Sequence, residues 1–543
     1  MQTSRKKTRK NGSEGFTRRE AIKWGVVAGG AAALAGKHIL ADSGPGQAGT
    51  PQSPPTRPFI DDLPIPAVHQ PVASLSPPPN PNQHQFGFSF GAPLFYAVHI
   101  KEALHSFHTD LPLNRIFGYN GVTPGPTFHA HVNQPVLARI YNDLPANLVG
   151  FGSPDIITHL HGGFTEAQSD GFPLDFYGPG QFKDHLYNNI LPDSDERETE
   201  STLWYHDHRV DFTAQNVYRG LAGFYLMFSE IDSGNETDSN PKALRLPSGQ
   251  FDVPLILQDK LFDAAGQVRF DDFQFDGLLG DKFLVNGKIQ PRFKVARRKY
   301  RFRFLNGSNS RFYEVALSSG QPFVQIGSDG GLLPRPLSRP SFQITPAERI
   351  EVIVDFSHAN LGDQIFLYNR QEQENGRGPT GKLLHPGTPI LRFDVNRDAP
   401  DPSQVPDKLL ELPPIELDQV VRERRWEFNR KGGAWVVNER FFDGNRVDAA
   451  PKRGSAEIWE LVNKSGGWSH PIHIHLEEFQ VITRNGKPPP PQEVARKDVF
   501  TLGPNETVRI FMRFRMFTGR YVMHCHNTVH EDHAMMIRWD VVP

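Results

Sequence analysis

Cysteine and methionine are scarce in this chain, and no long hydrophobic run follows its first 41 residues. The 543 residues include one cysteine, Cys525, and seven methionines. A single cysteine cannot form a disulfide within its own chain, so no internal cross-link is expected. The formal net charge of -2 gives no electrostatic reason to expect binding to nucleic acid or to an anionic membrane. Without an apolar run of about 20 residues, stable membrane insertion is not expected either.

The residue types that are abundant favour β structure. The chain has 40 Phe, 48 Gly and 47 Pro, and 11% of its residues are aromatic. Aromatic residues are enriched in strands, whereas Gly and Pro mark the turns between them. A chain of 543 residues is too long for a single core, and its length predicts about three domains.

The first 41 residues resemble a bacterial twin-arginine export signal. A basic run precedes the paired Arg18 and Arg19, and an Ala- and Gly-rich apolar segment follows at 24–36. This pattern predicts a transient interaction with the twin-arginine translocon and export to the periplasm, the cell envelope or the medium. An ordinary secretory signal is the alternative. An unpaired thiol is a liability in an oxidising compartment unless a ligand is bound to it, and a bound metal ion would be such a ligand.

A weak internal repeat predicts the domain organisation. Each copy has a strand ending in an Asn turn and a later strand ending in a second Asn, separated by 22, 20 and 25 residues. The pairs are Asn120 and Asn142, Asn286 and Asn306, and Asn438 and Asn463. Repeated strand–turn–strand units predict three related β-sandwich domains. We place them at residues 86–235, 245–400 and 412–543.

The segments outside these repeats have their own composition. Residues 42–85 are rich in Pro, Ser and Gln and predict a linker or wrapping arm without a core of its own. Helix is expected to be scarce, with a few short turns near residues 212–218 and 357–361. The polar, Gly- and Pro-rich segment 370–387 predicts a long flexible loop.

Four His-x-His pairs and one cysteine dominate the candidate site residues. Because strand side chains alternate between faces, the two histidines of each pair share a face, and Cys525 takes the opposite face from His524 and His526. A thiolate, imidazoles and a thioether suit a blue-copper site. A structural zinc site closes at four ligands, fewer than this chain offers. The donors are His159, His161, His206, His208, His470, His473, His475, His524, Cys525, His526, His530 and Met535.

The motifs His-x-His-Gly, His-x-His, His-Pro-x-His-x-His and His-Cys-His-x3-His-x4-Met occur in this order, and they resemble those of the multicopper oxidases. The resemblance covers roughly residues 86–543. The segments Ser169-Asp170-Gly171-Phe172-Pro173 and His530-Glu531-Asp532-His533 are similar to the spore-coat laccase and bilirubin oxidase branch. The family resemblance implies an all-β fold of three cupredoxin-like Greek-key β-sandwich domains, the second without copper ligands.

The resemblance also implies four copper ions. A type 1 copper would be held by His470, Cys525, His530 and Met535, with Met536 as the neighbouring candidate. A type 2 copper would take two histidines, His159 and His473. A coupled type 3 pair would take the other six, His161, His206, His208, His475, His524 and His526. Electrons from a reducing substrate would pass from Cys525 to His524 and His526, where O2 is reduced to water. Asp170 and Glu531 would supply the protons for this reaction. The alternative is a structural role, in which Asp170 caps a turn and Glu531 is a solvated charge.

The reducing substrate stays open at this point. A laccase-like oxidase of phenols, aromatic amines or bilirubin-like pigments is the leading hypothesis. A metallo-oxidase of Fe(II), Mn(II) or Cu(I) is the alternative, although the chain has no Met-rich segment to bind Cu(I). A non-catalytic member of the family would have lost ligands, and here every ligand position is filled. No motif assigns His533, His129 or His131, and Asp207 is expected to orient an imidazole or to face solvent. The protein is expected to be a monomer.

Overall fold

Six β-sheets, arranged as three pairs, account for most of the structure. The structure is a computed structural model that describes residues 52–543. The predicted export signal and residues 42–51 of the predicted arm lie outside the described residues. The three pairs of sheets follow one another along the chain, and each pair encloses a hydrophobic core.

The first pair of sheets is built from the strands between residues 94 and 228. Its strands are β1 (Leu94–His105), β2 (Asn114–Tyr119), β3 (Gly125–His131), β4 (Val136–Asn142), β5 (Thr158–His161), β6 (Phe182–Tyr187), β7 (Thr202–Asp207) and β8 (Ala222–Phe228). They form two four-stranded sheets with the orders β2-β1-β4-β6 and β3-β8-β7-β5. Val98 of β1 and Tyr225 of β8 belong to one core, so apolar residues of both sheets meet between them.

The second pair of sheets is larger and contains most of the long strands. Its strands are β9 (Asp252–Phe262), β10 (Val268–Arg269), β11 (Lys282–Val285), β12 (Lys288–Ile289), β13 (Arg292–Ala296), β14 (Lys299–Asn306), β15 (Tyr313–Leu317), β16 (Phe323–Ser328), β17 (Gly331–Arg339), β18 (Ser341–Ile344), β19 (Arg349–Asp355), β20 (Gln364–Gln371) and β21 (Leu383–Arg397). An eight-stranded sheet has the order β12-β11-β9-β14-β19-β16-β17, with β10 beside β9. The second sheet is β13-β21-β20-β15-β18.

The third pair of sheets includes the strand that ends at Cys525. Its strands are β22 (Val420–Lys431), β23 (Ala434–Val437), β24 (Ser455–Asn463), β25 (His470–Ile474), β26 (Phe479–Arg484), β27 (Arg496–Lys497), β28 (Val499–Leu502), β29 (Thr507–Phe514), β30 (Gly519–Cys525) and β31 (Met536–Val541). The sheets are β23-β22-β24-β29-β26-β27 and β28-β25-β30-β31. The prediction of an all-β, three-sandwich architecture is therefore confirmed.

The repeated asparagines perform the same task in each pair of sheets. Asn120, Asn286 and Asn438 have φ values of 55°, 48° and 49°, which suit a tight hairpin turn. Each of these side chains accepts a backbone N–H from a neighbouring strand at 2.7–2.8 Å. The later asparagines are buried, donate to carbonyl groups and accept the N–H two residues ahead, at Asn142, Asn306 and Asn463. The sequence repeat thus marks the points that close each sandwich.

The described part of the arm, residues 52–85, crosses two pairs of sheets. Asp62 forms a parallel bridge with Arg292 of β13, and Val72 bridges Phe95 of β1. Leu63 is buried in the second core. The segment therefore stabilises the outside of the sandwiches although it has no core of its own.

Helices are few among residues 52–543. The α-helices are α1 (Thr213–Arg219) and α2 (Thr528–Asp532), and the short 3-10 helices are Pro81–Gln83, Pro192–Ser194, Glu196–Glu198, Gly249–Phe251, Leu417–Gln419 and Pro491–Glu493. The turn predicted near residues 212–218 is extended into helix α1, and residues 357–361 form turns as predicted. No helix in this part of the chain combines the length and the apolar character needed to cross a membrane.

The predicted flexible loop 370–387 is shorter than expected. Strand β20 extends to Gln371 and β21 begins at Leu383, so only residues 372–382 connect them. The pairing of Asn369 with Thr388 and of Gln371 with Leu383 accounts for the difference, because this ladder continues through the Gly- and Pro-containing end of β21.

Candidate metal centre

Eight histidines converge where the first and third pairs of sheets meet. Strands β5 and β7 pair His159 with His206, and strands β25 and β30 pair His473 with His524. All eight side chains are at most 2% exposed: His159, His161, His206, His208, His473, His475, His524 and His526. The alternation of strand side chains and the contact between two sandwiches together build one histidine cluster from four distant segments.

His159 and His473 face each other across the two sandwiches. Their Nε2 atoms are 3.3 Å apart. The Nδ1 atom of His159 lies 2.6 Å from the Asp170 carbonyl, and that of His473 lies 2.9 Å from the Asp498 carbonyl. A carbonyl can only accept a hydrogen bond, so each Nδ1 carries the proton. Two unprotonated Nε2 atoms therefore point at the same space.

A second group is formed by His208, His475 and His524. The Nε2 of His524 lies 3.2 Å from that of His208 and 3.3 Å from that of His475. The outer nitrogens face carboxylates: His475 Nδ1 is 2.8 Å from Asp170 Oδ2, and His524 Nδ1 is 3.0 Å from Glu531 Oε2. Carboxylates behind imidazoles in this way fix the tautomer of a metal ligand.

The third group, His161, His206 and His526, has nitrogens without protein partners. The ring centroids of these residues are 5.1–5.7 Å apart. His161 Nδ1, His206 Nε2 and both ring nitrogens of His526 are buried and make no hydrogen bond. Buried polar atoms without partners are rare in native proteins. A metal ion among these three rings would take one nitrogen from each ring.

The lone cysteine lies on the opposite face of β30 from the histidine cluster. Its Sγ is 3.4 Å from His470 Nδ1 and 3.6 Å from His530 Nδ1, and the two Nδ1 atoms are 3.2 Å apart. All three side chains are fully buried. The group offers one sulfur and two nitrogens to a single point.

Met535 is the methionine next to this group. The backbone N–H of Cys525 donates to the Met535 carbonyl at 3.1 Å, and both side chains belong to the same hydrophobic core. Met536 instead pairs with His524 in the ladder and packs in another apolar cluster with Phe172. The register therefore favours Met535 over Met536 as the thioether beside Cys525.

Burial sets the protonation of both groups. It lowers the pKa of His470 and His206 to about 3, and that of His208 to about 4, so these imidazoles are neutral. Burial also raises the pKa of the Cys525 thiol. A coordinated metal ion would deprotonate that thiol outright. Neutral imidazoles and a thiol in an apolar core fit a cation that accepts soft and borderline ligands.

The donor set fits copper at each group. One thiolate, two imidazoles and a nearby thioether are typical of a blue-copper site. The eight remaining histidines offer imidazole only, which also suits copper. A single four-ligand zinc site would leave most of these nitrogens without a partner.

Comparisons with known proteins identify the family. Residues 105–230 and 414–543 match sequence models described as "Multicopper oxidase". The chain is 37% identical over 494 residues to bilirubin oxidase of Albifimbria verrucaria, covering 88% of this chain and 80% of that protein. It is 33% identical over 543 residues to a laccase of Bacillus subtilis (strain 168), covering 89% and 98%.

The chain belongs to the multicopper oxidase family. Its fold agrees with that of the McoA multicopper oxidase from the hyperthermophile Aquifex aeolicus, with a TM-score of 0.73, 27% identity and coverage of 89% of this chain and 99% of that one. A laccase from Pediococcus acidilactici gives a TM-score of 0.75 at 27% identity, with 91% and 96% covered. The protein is thus a copper-dependent oxidoreductase that uses O2 as electron acceptor and acts on small-molecule substrates.

Asp170 and Glu531 lie within the histidine cluster of this multicopper oxidase. Asp170 is fully buried, and burial raises the pKa of its carboxyl group. Burial also favours a neutral Glu531, but His524 and His208 outweigh that effect and hold the pKa of Glu531 at about 2. The two carboxyl groups therefore differ in their affinity for a proton although both contact histidines.

Asp207 has a different role from the two that its position suggested. Its Oδ1 accepts the Ile157 N–H at 3.0 Å, and its Oδ2 accepts from Asn216 Nδ2 at 3.0 Å. The Asp207 carboxylate faces neither solvent nor an imidazole. Instead its backbone carbonyl accepts from His206 Nδ1 at 2.8 Å, while its side chain ties the strand ends together.

Asp498 is a neighbour of the cluster that the sequence alone did not reveal. Its Oδ1 lies 3.2 Å from His161 Nε2, and its carboxylate is bridged by Arg349. The only sequence signal is the run of three charged residues, Arg496-Lys497-Asp498, which is equally typical of a solvated segment.

His533, His129 and His131, which no motif assigned, lie outside both clusters. His533 packs on Phe275 with ring centroids 4.9 Å apart. His129 and His131 are exposed on β3 and border a cavity between the arm and the first two pairs of sheets.

Proposed function

We propose that this multicopper oxidase oxidises organic aromatic donors, namely phenols, aromatic amines or bilirubin-like pigments. The observation that supports this choice is the aromatic cover over the cysteine site. The Trp435 ring centroid is 3.9 Å from that of His530, and the half-buried Trp468 packs against Trp435 at 5.4 Å. Aromatic rings and a few polar groups are the usual lining of sites for small organic molecules. The named activities of the laccase and bilirubin oxidase relatives agree with this class of substrate.

We assign four copper ions to the clusters described above. The type 1 ion would be held by His470, Cys525 and His530 with Met535 as thioether ligand, and the type 2 ion by His159 and His473. The type 3 pair would take the two groups of three, His161, His206 and His526, and His208, His475 and His524. Ligand atoms converge within 4.8 Å in the groups His470, Cys525 and His530, and His208, His475 and His524, and the partnerless nitrogens of His161, His206 and His526 support the remaining group.

Copper bound in these sites would accept single electrons from the donor and would transfer four electrons to O2, which is reduced to water. The protein positions the two sites through one strand, because Cys525 lies between His524 and His526. Glu531 contacts His208 and His524, and Asp170 contacts His475. We assign both carboxyl groups to proton delivery: Asp170, whose pKa is raised by burial, holds a proton, and Glu531, ionised between His208 and His524, accepts protons and passes them on.

The alternative of a metallo-oxidase of Fe(II), Mn(II) or Cu(I) receives no comparable support. Among residues 52–543, Met512, Met523, Met535 and Met536 are buried in apolar cores and form no exposed thioether cluster.

Side-by-side turnover tests the choice of donor. Copper-loaded protein is given a phenol, an aromatic amine, bilirubin, Cu(I), Fe(II) and Mn(II), and O2 consumption is followed for each. We expect the organic donors to support faster consumption than any metal ion. Faster oxidation of Fe(II), Mn(II) or Cu(I) would favour the metallo-oxidase, and no consumption with any donor would contradict the oxidase.

We further propose the domain limits 86–235, 245–400 and 412–543, with the second domain contributing no copper ligand, and a monomeric protein. The twin-arginine pattern supports export through the translocon to the periplasm or beyond. Replacing Arg18 and Arg19 by Lys should retain the precursor in the cytoplasm, and unchanged export would contradict the assignment.

A further inference from the structure

The imidazole of His530 has no surface through which a donor could touch it. Its side chain is fully buried, and its Nε2 lies 3.1 Å from the Asp276 carbonyl and 3.1 Å from Asn527 Nδ2. The nearest exposed groups on this side of the cysteine site therefore define where a donor can bind.

Two tryptophans extend from His530 toward the surface. Trp435 is buried against His530, and its Nε1 donates to the Phe275 carbonyl at 3.0 Å. Trp468 meets Trp435 edge-on, with an angle of 80° between the rings, and is partly exposed. An aromatic donor that binds at the surface would thus contact Trp468 first.

Two guanidinium groups flank this exposed tryptophan. The Cζ atoms of Arg377 and Arg430 lie 4.5 Å and 4.9 Å from the Trp468 ring centroid. Asp276 is the acid between them, 3.6 Å from Arg377 and 3.1 Å from Arg430. Two cations and one anion leave a net positive charge at the rim of the aromatic surface.

Arg377 still has hydrogen-bonding capacity. Its side chain is 41% exposed, and within residues 52–543 neither terminal nitrogen of its guanidinium group has a hydrogen-bond partner. The backbone holds the side chain in place, because the Ser469 N–H donates to the Arg377 carbonyl at 2.8 Å. A guanidinium fork of this kind matches the geometry of a carboxylate or sulfonate.

We propose that Trp468, Arg377 and Arg430 form the donor-binding surface of this enzyme, and that it selects aromatic donors with a carboxylate or sulfonate group. The aromatic ring packs against the exposed part of Trp468 while the acid group pairs with the guanidinium of Arg377. Asp276 holds both arginines over the tryptophan and repels anions less than the two arginines attract them. The selectivity for acidic aromatic donors rests on the proposed oxidation of organic donors. Binding of an aromatic anion to this surface does not depend on that function.

The first experiment compares three phenols that share one dimethoxyphenol ring and carry a carboxylate, a neutral amide or a quaternary ammonium group. In Arg377→Gln, KM for the carboxylate donor should rise about fivefold, the scale of one partly exposed ion pair, with kcat unchanged. KM for the amide should change less than twofold. Arg377→Glu should reverse the preference between the anionic and cationic donors, and the preference of the wild type should weaken at high salt.

Arg197→Gln is the matched control. Its side chain is 42% exposed and paired with Asp195, so it loses a comparable surface charge away from the tryptophans. It should leave the KM of all three donors unchanged. Equal effects of Arg377→Gln on the carboxylate and the amide, or of Arg197→Gln and Arg377→Gln on the carboxylate, would overturn the proposal.

Binding provides a readout that does not depend on turnover. Calorimetry of the copper-loaded protein with naphthalene-2-sulfonate, which is not a phenol, should show one site that weakens about fivefold in Arg377→Gln. If no donor supports O2 consumption but the sulfonate binds in this way, the oxidase assignment fails while the anion site stands. If donors are oxidised but the sulfonate binds equally to wild type and Arg377→Glu, the anion site fails alone.

Discussion

At the scale of single residues, the protein depends on what burial does to a few side chains. Cys525 has no disulfide partner and sits in an apolar core, where its thiol is neutral and idle unless a metal binds it. The histidines around it are likewise kept neutral, which leaves their nitrogens free as ligands. A cysteine and imidazoles placed this deep have few uses other than metal binding.

Replacing Cys525 with Ser should remove the blue colour and abolish oxidation of every donor. A hydroxyl oxygen is a poor substitute for the thiolate of a blue-copper site, whereas the buried volume hardly changes. Absorption spectra, copper content and thermal unfolding of the variant check this. We expect the loss of about one copper of four with the fold intact. Met536→Leu, one residue beyond the assigned thioether ligand, should keep the colour, and a colourless Met536→Leu would contradict the choice of Met535.

Replacing Glu531 with Gln should slow O2 reduction about a hundredfold, because an amide cannot deliver a proton. The blue colour should remain, since the Glu531 carboxylate faces His208 and His524 on the side away from the Cys525 sulfur. Steady-state O2 consumption and absorption spectra measure the two effects separately. A variant with the turnover of the wild type would show that Glu531 only orients His208 and His524.

At the scale of elements, the hairpin asparagines show how sequence and local geometry correspond. The turn residues after the first two asparagines are glycines, with φ values of 74° at Gly121 and 77° at Gly287. The third turn has Glu439 at a φ of 61°, a conformation that costs a non-glycine residue free energy. The third copy of the repeat therefore departs from the favoured turn chemistry at one position.

Glu439→Gly should increase the free energy of unfolding by about 0.5–1 kcal/mol, because glycine adopts a positive φ without strain. The interactions that this substitution removes are exposed and weak: Glu439 accepts from Asn429 at 2.8 Å and lies 3.4 Å from Lys431. Thermal unfolding measures the change. Glu439→Ala is the control, since it removes the same interactions but keeps the Cβ atom and should give no gain. A Gly variant no more stable than the Ala variant would refute the explanation.

At the scale of the whole molecule, the contact between the first two pairs of sheets is buried and charged. Glu351 of β19 accepts from Arg301 Nε at 2.9 Å and from Thr202 Oγ1 of the first pair at 2.6 Å. Arg303 lies 3.3 Å away. Removing one partner of such a group leaves the others charged in the interior, which is strongly destabilising.

Glu351→Gln should lower the free energy of unfolding by about 3 kcal/mol at pH 7. Burial raises the pKa of Glu351, but Arg301 and Arg303 outweigh burial and hold it at about 2, below its ordinary 4.5. A carboxyl group whose pKa falls on folding stabilises the protein above its unfolded pKa. The difference between wild type and variant should therefore be constant above pH 5 and shrink as the pH falls from about 4.5 to 2.

Denaturant unfolding at a series of pH values tests this dependence. A difference that does not change between pH 7 and pH 3 would show that the glutamate is not ionised through its arginine partners. Glu351 touches none of the histidines, so turnover of Glu351→Gln at a temperature where it is folded should equal that of the wild type.

The sequence by itself determined the metal-ligand residues and the class of fold. Strand alternation placed His524 and His526 on one face and Cys525 on the other, and the repeated asparagines marked three sandwiches, because both patterns depend on neighbours along the chain. The extent of β20 and β21 was missed, since a ladder between distant residues overrode the local Gly and Pro signals.

Only the tertiary structure decided which groups meet. The approach of Asp498 to His161, the cover of Trp435 over His530, and the arginines flanking Trp468 each join segments far apart in sequence. No local pattern encodes such contacts, because they depend on how the edges of separate sandwiches pack. The lone cysteine and the paired histidines indicate a copper enzyme, whereas the molecule that it oxidises is selected by a surface that exists only in the folded chain.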